Sequence, residues 1–288
     1  MDEQEYREKQ ENRINSFLKP LGDREFQYLS SLVYQYCGIN LHEGKRELVR
    51  ARLSKRLREL DMDSFAIYCK YLQEKNPPEE ITILLDTLST NLTSFFRENQ
   101  HFEFLKRELP NILRQKKQKG SSRLRLWSTA CSSGEEPYSI AFVVAEALEE
   151  VGIPFDTKIL ATDISTIMLK KAERGIYSQE KVKDIPPALK FKYFQYENGD
   201  YTVIPELKRI IAFRKLNVIG EWPFQGTFDI IFCRNMMIYF DKATQSELID
   251  RFHKYLTDDG YLFVGHSESL IGISHSFRHI QPTVYQKI

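Results

Sequence analysis

Apolar residues recur along the first third of the chain at the three-to-four-residue spacing of amphipathic helices. Phe26, Leu29, Leu32, Val33 and Tyr36 share one face, Phe65, Tyr68, Cys69 and Leu72 a second, and Ile81, Leu84, Leu85 and Leu88 a third. That spacing predicts helices burying one stripe each. Pro77 and Pro78 separate the last two stripes, because proline in a helix interior costs a hydrogen bond and kinks or breaks the helix. A further stripe, Val49, Leu53, Leu57 and Leu60, lies between the first two. Residues 24–90 therefore read as a bundle of about four helices, after a charged amino-terminal extension, residues 1–23, whose first twenty residues suit a mobile helix.

After Leu88 the periodicity stops. Ser89 to Glu98 reads Ser-Thr-Asn-Leu-Thr-Ser-Phe-Phe-Arg-Glu, and a helical face of Phe102, Leu105, Leu109, Ile112 and Leu113 follows. A simple linker is usually richer in Gly, Pro or Lys. Asn91, Thr93 and Arg97 are therefore expected to face a cleft, within a linker and helix over residues 91–122.

From residue 123 the pattern becomes that of strands alternating with helices. Leu124, Leu126 and Trp127 suit a buried strand, small residues fill Ala130 to Gly134, and Ile140, Val143, Val144, Ala147 and Leu148 return to helical spacing. A strand, tight turn and helix built this way let backbone approach a nucleotide-like ligand, since Ala130, Ser132 and Gly134 carry almost no side chain. Lys158 to Thr162 reads as a second strand ending in Asp163. An acidic residue there either holds ribose hydroxyls or caps the helix Ile164 to Arg174. Phe228 to Cys233 is a near-continuous apolar run suited to a central strand. It is followed by Arg234, Asn235 and Tyr239, a helix from Ala243 to Leu256, a turn at Asp258-Asp259-Gly260 and a strand from Tyr261 to Gly265. The alternation indicates a doubly wound α/β sheet. Residues 191–216, with Asn198-Gly199 between Tyr193-Phe194 and Tyr201-Val203 and then Ile210 to Leu216, read as a small antiparallel β insertion.

Composition narrows the class. A content of 42% hydrophobic and 28% charged residues excludes a disordered chain. No apolar run is long enough to span a bilayer, and Met1 to Arg13 lacks an apolar signal region, so a cytoplasmic protein without membrane insertion is expected. Cys37, Cys69, Cys131 and Cys233 stand singly; they are expected to be reduced and buried, with no zinc motif and no metal. A net charge of +1 leaves electrostatics to local clusters. Lys45, Arg46, Arg50, Arg52, Lys55, Arg56 and Arg58 form one, offset only by Glu47 and Glu59 within the same helix. Such a face is either solvated or steers an acidic partner, and it lacks the interleaved aromatics that stack nucleic-acid bases.

These pieces together resemble the CheR family of chemotaxis receptor methyltransferases. The matching stretches are Thr90–Glu98, Trp127–Ser139, Ala161-Thr-Asp163, Phe232–Asp241 and Gly265-His-Ser-Glu268, and the likeness runs from about residue 24 to the carboxyl terminus. It implies a Rossmann-like class I methyltransferase sheet over residues 123–288, S-adenosylmethionine as donor with S-adenosylhomocysteine as product, and receptor glutamates as acceptors. By motif position it implies Asn91, Thr93, Arg97, Ala130, Gly134, Glu136, Asp163, Asn217, Val218, Arg234 and Asn235 at the cofactor. Tyr239 would stand near the transferred methyl, and Arg97 would hold the donor's or the acceptor's carboxylate. The resemblance, not periodicity, favours Glu136 over Glu135. It also gives Lys45, Arg46, Arg50, Arg52, Lys55 and Arg56 a task in residues 24–90, docking on the acidic helical bundle of a chemoreceptor cytoplasmic domain.

Two departures matter. The generic Gly-x-Gly-x-Gly is Ala130-x-Ser132-x-Gly134, and Ser165 replaces the second acidic residue of some relatives, leaving Asp163 alone for the ribose. The hairpin Gln195 to Tyr201 is shorter than in relatives that capture a receptor tether peptide, so such a peptide is not expected to be required. A nucleic-acid methyltransferase would carry an Asn-Pro-Pro-Tyr type motif where this chain has Arg234-Asn235-Met236-Met237. A non-catalytic ligand sensor is the remaining alternative, against which Arg97, Asp163, Asn235 and Tyr239 argue.

Overall fold

The protein is described by a computed structural model covering residues 20–89 and 91–288. Most of the amino-terminal extension, residues 1–19, lies outside the described residues, and with it the expected mobile helix. The chain divides into two compact units, one ending at Thr90 and one running from Asn91 to Ile288.

The first unit is helical. Helix α1 (Asp23–Cys37) buries Phe26, Leu29, Val33 and Cys37 and stops at Gly38, whose φ of 70° lets its N–H reach Tyr34 O. Helix α2 (Arg46–Glu59) buries Val49, Leu53 and Leu57. Helix α3 (Phe65–Lys75) starts where Ser64 Oγ accepts from Ile67 N–H. Helix α4 (Pro78–Leu88) takes proline in its first turn, the one place where the missing N–H costs nothing.

The second unit begins with its loop Asn91–Glu98 and helix α5 (Gln100–Gln118). This segment is part of the α/β unit and not a separate joining piece, because Phe95, Phe102, Phe104, Leu105, Leu109 and Leu113 sit in that unit's core. Then come β1 (Arg123–Ser128), α6 (Glu135–Val151), β2 (Asp156–Asp163), α7 (Thr166–Arg174), β3 (Ile176–Ser178), α8 (Gln179–Val182) and α9 (Pro187–Tyr193). The chain continues through β4 (Phe194–Glu197), β5 (Asp200–Val203), α10 (Pro205–Ile210), β6 (Ile211–Lys215) and β7 (Phe228–Cys233). A 3₁₀ turn (Met237–Tyr239), α11 (Lys242–Tyr255), β8 (Leu256–Val264), β9 (Phe277–Gln281) and β10 (Val284–Lys287) complete it.

The main sheet has seven strands in the order β6-β2-β1-β7-β8-β10-β9. Strands β6, β2, β1, β7 and β8 run parallel, with Leu126 opposite Ile230 and Ser128 opposite Phe232, while β10 pairs antiparallel with β8. All six residues of β7 are buried, as expected of a strand covered on both faces. Successive strands leave β1 in opposite directions, so the crevice at the carboxyl ends of β1 and β7 is the switch point where such sheets receive ligands.

Two readings need correction. Ile211–Lys215 is not part of the antiparallel insertion; it pairs parallel with β2 from Ile159↔Ile211 to Asp163↔Lys215 as an edge of the main sheet. The insertion is instead β3-β5-β4, and its two-residue Asn198-Gly199 hairpin stands where expected, with φ of 53° and 90°. Asp258 to Gly260 are not a turn between helix and strand but bulge within β8, where pairing jumps from Phe228↔Leu256 to Ile230↔Tyr261. The four cysteines are free and buried.

Candidate functional site

Loop Asn91–Glu98 and the segments that leave β1, β2, β6 and β7 are tied together by hydrogen bonds at the carboxyl edge of the sheet. Leu216 N–H donates to Asp163 O (3.0 Å), joining the exit of β6 to the end of β2. Ser132 Oγ donates to Asn91 O (3.0 Å), and Phe96 N–H donates to Ser139 Oγ (3.0 Å), so the loop before α5 is held to the β1–α6 turn. Asn91, Thr93, Arg97, Glu136, Asn217, Asn235 and Tyr239 are partly exposed around this edge, and Val218 is buried. The Val218 carbonyl is spent on Trp222 Nε1 (2.8 Å).

Arg234 is the centre of the arrangement. Its guanidinium is buried, with Nη1 2.9 Å from Glu136 Oε2 and Nη2 3.1 Å from Glu98 Oε2, and Nη2 also donates to Arg97 O. Ser128 Oγ donates to Glu136 Oε1 (2.7 Å), and Asn235 Nδ2 donates to Glu98 Oε1 (3.0 Å). Burial raises the Glu136 pKa against the opposing pull of Arg234 and Ser128. For Glu98 burial also acts upward, but the Asn235 amide and Arg234 outweigh it and the pKa ends lowered. Two neighbouring carboxyls pushed in opposite directions make this edge a candidate functional cleft.

Backbone strain concentrates in the same segments. Phe96 (φ 52°), Glu98 (φ 57°), Ser132 (φ 46°) and Asn235 (φ 56°) are non-glycine residues held left-handed. For a side chain as bulky as Phe96 this conformation is costly and persists only where surrounding contacts fix it.

Several expectations acquire different physical reasons. Gly134, at φ 99°, is also required by packing, since a Cβ there would lie 2.7 Å from Tyr177 Oη and 2.9 Å from Ala172 Cβ. Asp163 does not cap a helix. Its Oδ2 accepts from Ser132 N–H (2.8 Å) and its Oδ1 from Ser165 N–H (2.8 Å), while Ser165 Oγ caps α7. Glu135 is fully buried and paired with Lys181 Nζ (3.0 Å), whereas Glu136 reaches the Arg234 cluster. Among residues that sequence reasoning gave no role, Glu98, Ser128, Ser139 and Glu268 are built into this edge. All four were visible within matched motifs, but only three-dimensional proximity reveals their partners.

The basic helix α2 is also more neutralised than its own two glutamates imply. Arg46 pairs with Asp23 (2.8 Å) and Glu43, Arg50 with Glu47 (2.8 Å), and Arg52 donates to Leu88 O (2.7 Å) and Ser89 O (2.9 Å). Arg56 bonds buried Glu80, which also accepts from Tyr68 Oη (2.8 Å), so Arg52 and Arg56 serve the bundle itself. Lys55, 82% exposed, and Arg50, 44% exposed, are the more available cations.

Glu98, His101 and His266 bring ligand atoms within 4.8 Å of one another. Arg234 already supplies positive charge at the same Glu98 oxygen, which argues against a cation there. His101 is instead a stability group. Thr283 Oγ donates to Pro282 O (2.6 Å) and so accepts from His101 Nε2–H (2.6 Å), leaving Nδ1 unprotonated. Burial first, then Arg234, lowers the His101 pKa to about 3. The unfolded chain therefore binds the extra proton below about pH 6.5, so stability is full above that value and falls with pH until the folded pKa is reached. Between pH 6.5 and 5 this group alone is expected to remove roughly 2 kcal/mol in urea titrations. A His101→Gln variant should show a correspondingly flatter pH profile.

Comparison with known proteins agrees with this geometry. Residues 91–286 match the family model "CheR methyltransferase, SAM binding domain", and residues 24–89 match "CheR methyltransferase, all-alpha domain". A chemotaxis protein methyltransferase of Borreliella burgdorferi is 40% identical over 280 residues, covering 96% of this chain and 98% of the relative. Chemotaxis protein methyltransferase 2 of Pseudomonas aeruginosa is 41% identical over 91% of this chain and 92% of its own length. The Escherichia coli chemotaxis protein methyltransferase is 39% identical over 92% of this chain and 91% of its own. Two domain matches in chain order, and relatives aligned nearly end to end, have one meaning: the chain belongs to the CheR methyltransferase family.

Proposed function

We propose that this S-adenosylmethionine-dependent methyltransferase esterifies glutamate side chains on the cytoplasmic helices of chemoreceptors, giving γ-glutamyl methyl esters and S-adenosylhomocysteine. The observation that carries the reading is the Arg234 junction, one buried guanidinium between Glu98 and Glu136 at the switch point of the sheet. The donor fits these residues. Buried Arg234 Nε is a donor without an acceptor among the described residues. Asn91, Thr93, Arg97, Ala130, Gly134, Glu136, Asp163, Asn217, Val218, Arg234 and Asn235 are the residues assigned to hold it, with Asp163 toward the ribose.

The bound donor supplies an electrophilic methyl on a positively charged sulfur. An acceptor glutamate, with an ordinary pKa of about 4.3, is already ionised at neutral pH, so no general base is needed. What remains for the protein is placement and exclusion of water. Arg97 orients a carboxylate and Tyr239 orients by hydrogen bond without taking a proton. Mass spectrometry of receptor cytoplasmic fragments incubated with donor and protein tests the proposal; it expects +14 Da on glutamates, and unmodified fragments would refute it.

Residues 24–90 are proposed to dock on the acidic receptor bundle chiefly through exposed Arg50 and Lys55 of α2 and the partly exposed Lys45 just before it. Raising salt from 50 to 300 mM should raise the KM for receptor several-fold while leaving S-adenosylhomocysteine affinity nearly unchanged, because exposed pairs are screened within about 10 Å at 0.1 M salt. The four-residue strands β4 and β5 support a reaction independent of a receptor tether peptide; tight binding of that peptide in a titration would overturn this.

A further inference from the structure

We propose that Glu268 is a positioning residue that sets the Asn235–Tyr239 turn; the inference rests on the methyl-transfer reading. Glu268 is buried two residues after exposed His266, and its carboxylate is satisfied by backbone. Oε2 accepts from Gly265 N–H (2.6 Å) and Asn235 N–H (2.7 Å). Oε1 accepts from Met236 N–H (2.8 Å) and Ile238 N–H (3.2 Å). One side chain thus gathers four N–H groups from two connections, the one leaving β7 and the one leaving β8.

The three donors from the first connection are otherwise hard to satisfy. Asn235 is left-handed at φ 56° and the following 3₁₀ turn is only Met237–Tyr239, so these amides have no helix ladder to join. A carboxylate is the one side chain that offers acceptor capacity at both atoms and no donor at either. Its hold on Asn235 N–H also fixes the direction of the Asn235 amide, which bonds Glu98. Its hold on Ile238 N–H fixes the residue before Tyr239. The close fit extends to Gly265, where a Cβ would lie 2.6 Å from Asn235 Nδ2, 2.7 Å from Glu268 Oε2 and 2.8 Å from Asn235 N. Gly265 is glycine so that the two connections can meet through this carboxylate.

The test compares Glu268→Gln and Gly265→Ala with a matched control, Asp229→Asn. Asp229 is an equally buried carboxylate on β7 at the opposite end of that strand, bonded to Lys116 Nζ (2.5 Å) and Arg125 N–H (2.8 Å). Glutamine must turn its NH₂ toward one of the two pairs of N–H donors, so the turn shifts while the fold retains its other contacts. For each protein kcat, the KM for S-adenosylmethionine and receptor fragment, the S-adenosylhomocysteine Kd and the thermal midpoint are measured. Both test variants should lose at least about tenfold in kcat/KM, with the loss in kcat exceeding that in receptor KM, since misplacement near the reacting groups is felt in the transition state. Asp229→Asn should keep kcat within about twofold at a comparable fall in thermal midpoint. If Glu268→Gln fails to fold, Gly265→Ala probes the same contact from the other connection. Test variants with wild-type kcat, or with losses no greater than that of Asp229→Asn, would overturn the proposal. Failure of the wild-type protein to methylate receptor would instead strike the functional reading on which it rests.

Discussion

Replacing Arg234 with methionine is expected to lower the stability of the α/β unit by about 3–5 kcal/mol, the usual consequence of deleting one partner of a buried charge cluster. Methionine fills the volume but leaves Glu98 and Glu136 facing each other without the guanidinium, and leaves Arg97 O without its donor. Loss of S-adenosylhomocysteine binding should follow, since loop Asn91–Glu98 is held to the end of β7 through this side chain. The double variant Arg234→Met/Glu136→Gln removes one of the stranded charges and should recover part of the lost stability, a non-additivity that distinguishes electrostatic stranding from a packing defect. The pH dependence has a definite sign. Without the guanidinium both carboxyl pKa values rise from their wild-type positions, so the folded variant binds more protons than the folded wild type and should gain stability, relative to wild type, as pH falls from 7 toward 5. Urea midpoints at those two pH values check this; a midpoint gap that does not narrow refutes the electrostatic account.

Much of the architecture is legible from residue pattern because it depends on local periodicity. The switch from alternation at Leu124–Trp127 to helical spacing after Gly134 announces the β1–α6 unit, and Asn198-Gly199 announces its hairpin. The partner of a short apolar run is not local information. Ile211–Phe213 would serve an antiparallel ribbon or a parallel edge equally well, and only packing against β2 decides. Strand β3 is three residues long, too short for its alternation to be read, and the β9–β10 hairpin at the carboxyl terminus passed unread for a similar reason. The site divides in the same way. Motifs located Arg97, Glu136, Asp163, Arg234 and Asn235, yet what those residues do is set by contacts such as Asn235 with Glu98, 137 positions apart. The charge on α2 was likewise counted within its own helix, although Glu80 on α4 neutralises Arg56 from 24 positions away.

Substituting alanine at Arg97 is expected to lower turnover by about two orders of magnitude or more, the scale set by loss of a positioning group near reacting atoms. Stability should fall by no more than about 1 kcal/mol, because among the described residues the side chain makes one internal hydrogen bond, from Nη1 to Leu92 O (2.8 Å). The contrast follows from where the residue stands. Its neighbours Phe96 and Glu98 are both held left-handed, and its own carbonyl accepts from Arg234, so the backbone presents Arg97 from a fixed point whatever its side chain. The guanidinium is left to bind a carboxylate with a planar pair of N–H groups, which an ammonium cannot imitate, so Arg97→Lys should recover only a minor part of the activity. Which carboxylate it binds is read from the kinetic split. If Arg97 holds the donor's, S-adenosylhomocysteine Kd rises with the loss of turnover in Arg97→Ala; if it holds the acceptor's, that Kd is unchanged and the loss appears in the kcat/KM for receptor. Tyr239, assigned to orient without proton transfer, supplies the comparison, since Tyr239→Phe should leave S-adenosylhomocysteine binding intact while methyl transfer falls. Unchanged methylation by Arg97→Ala would remove the residue from the reaction and leave Arg234 as the site's working guanidinium.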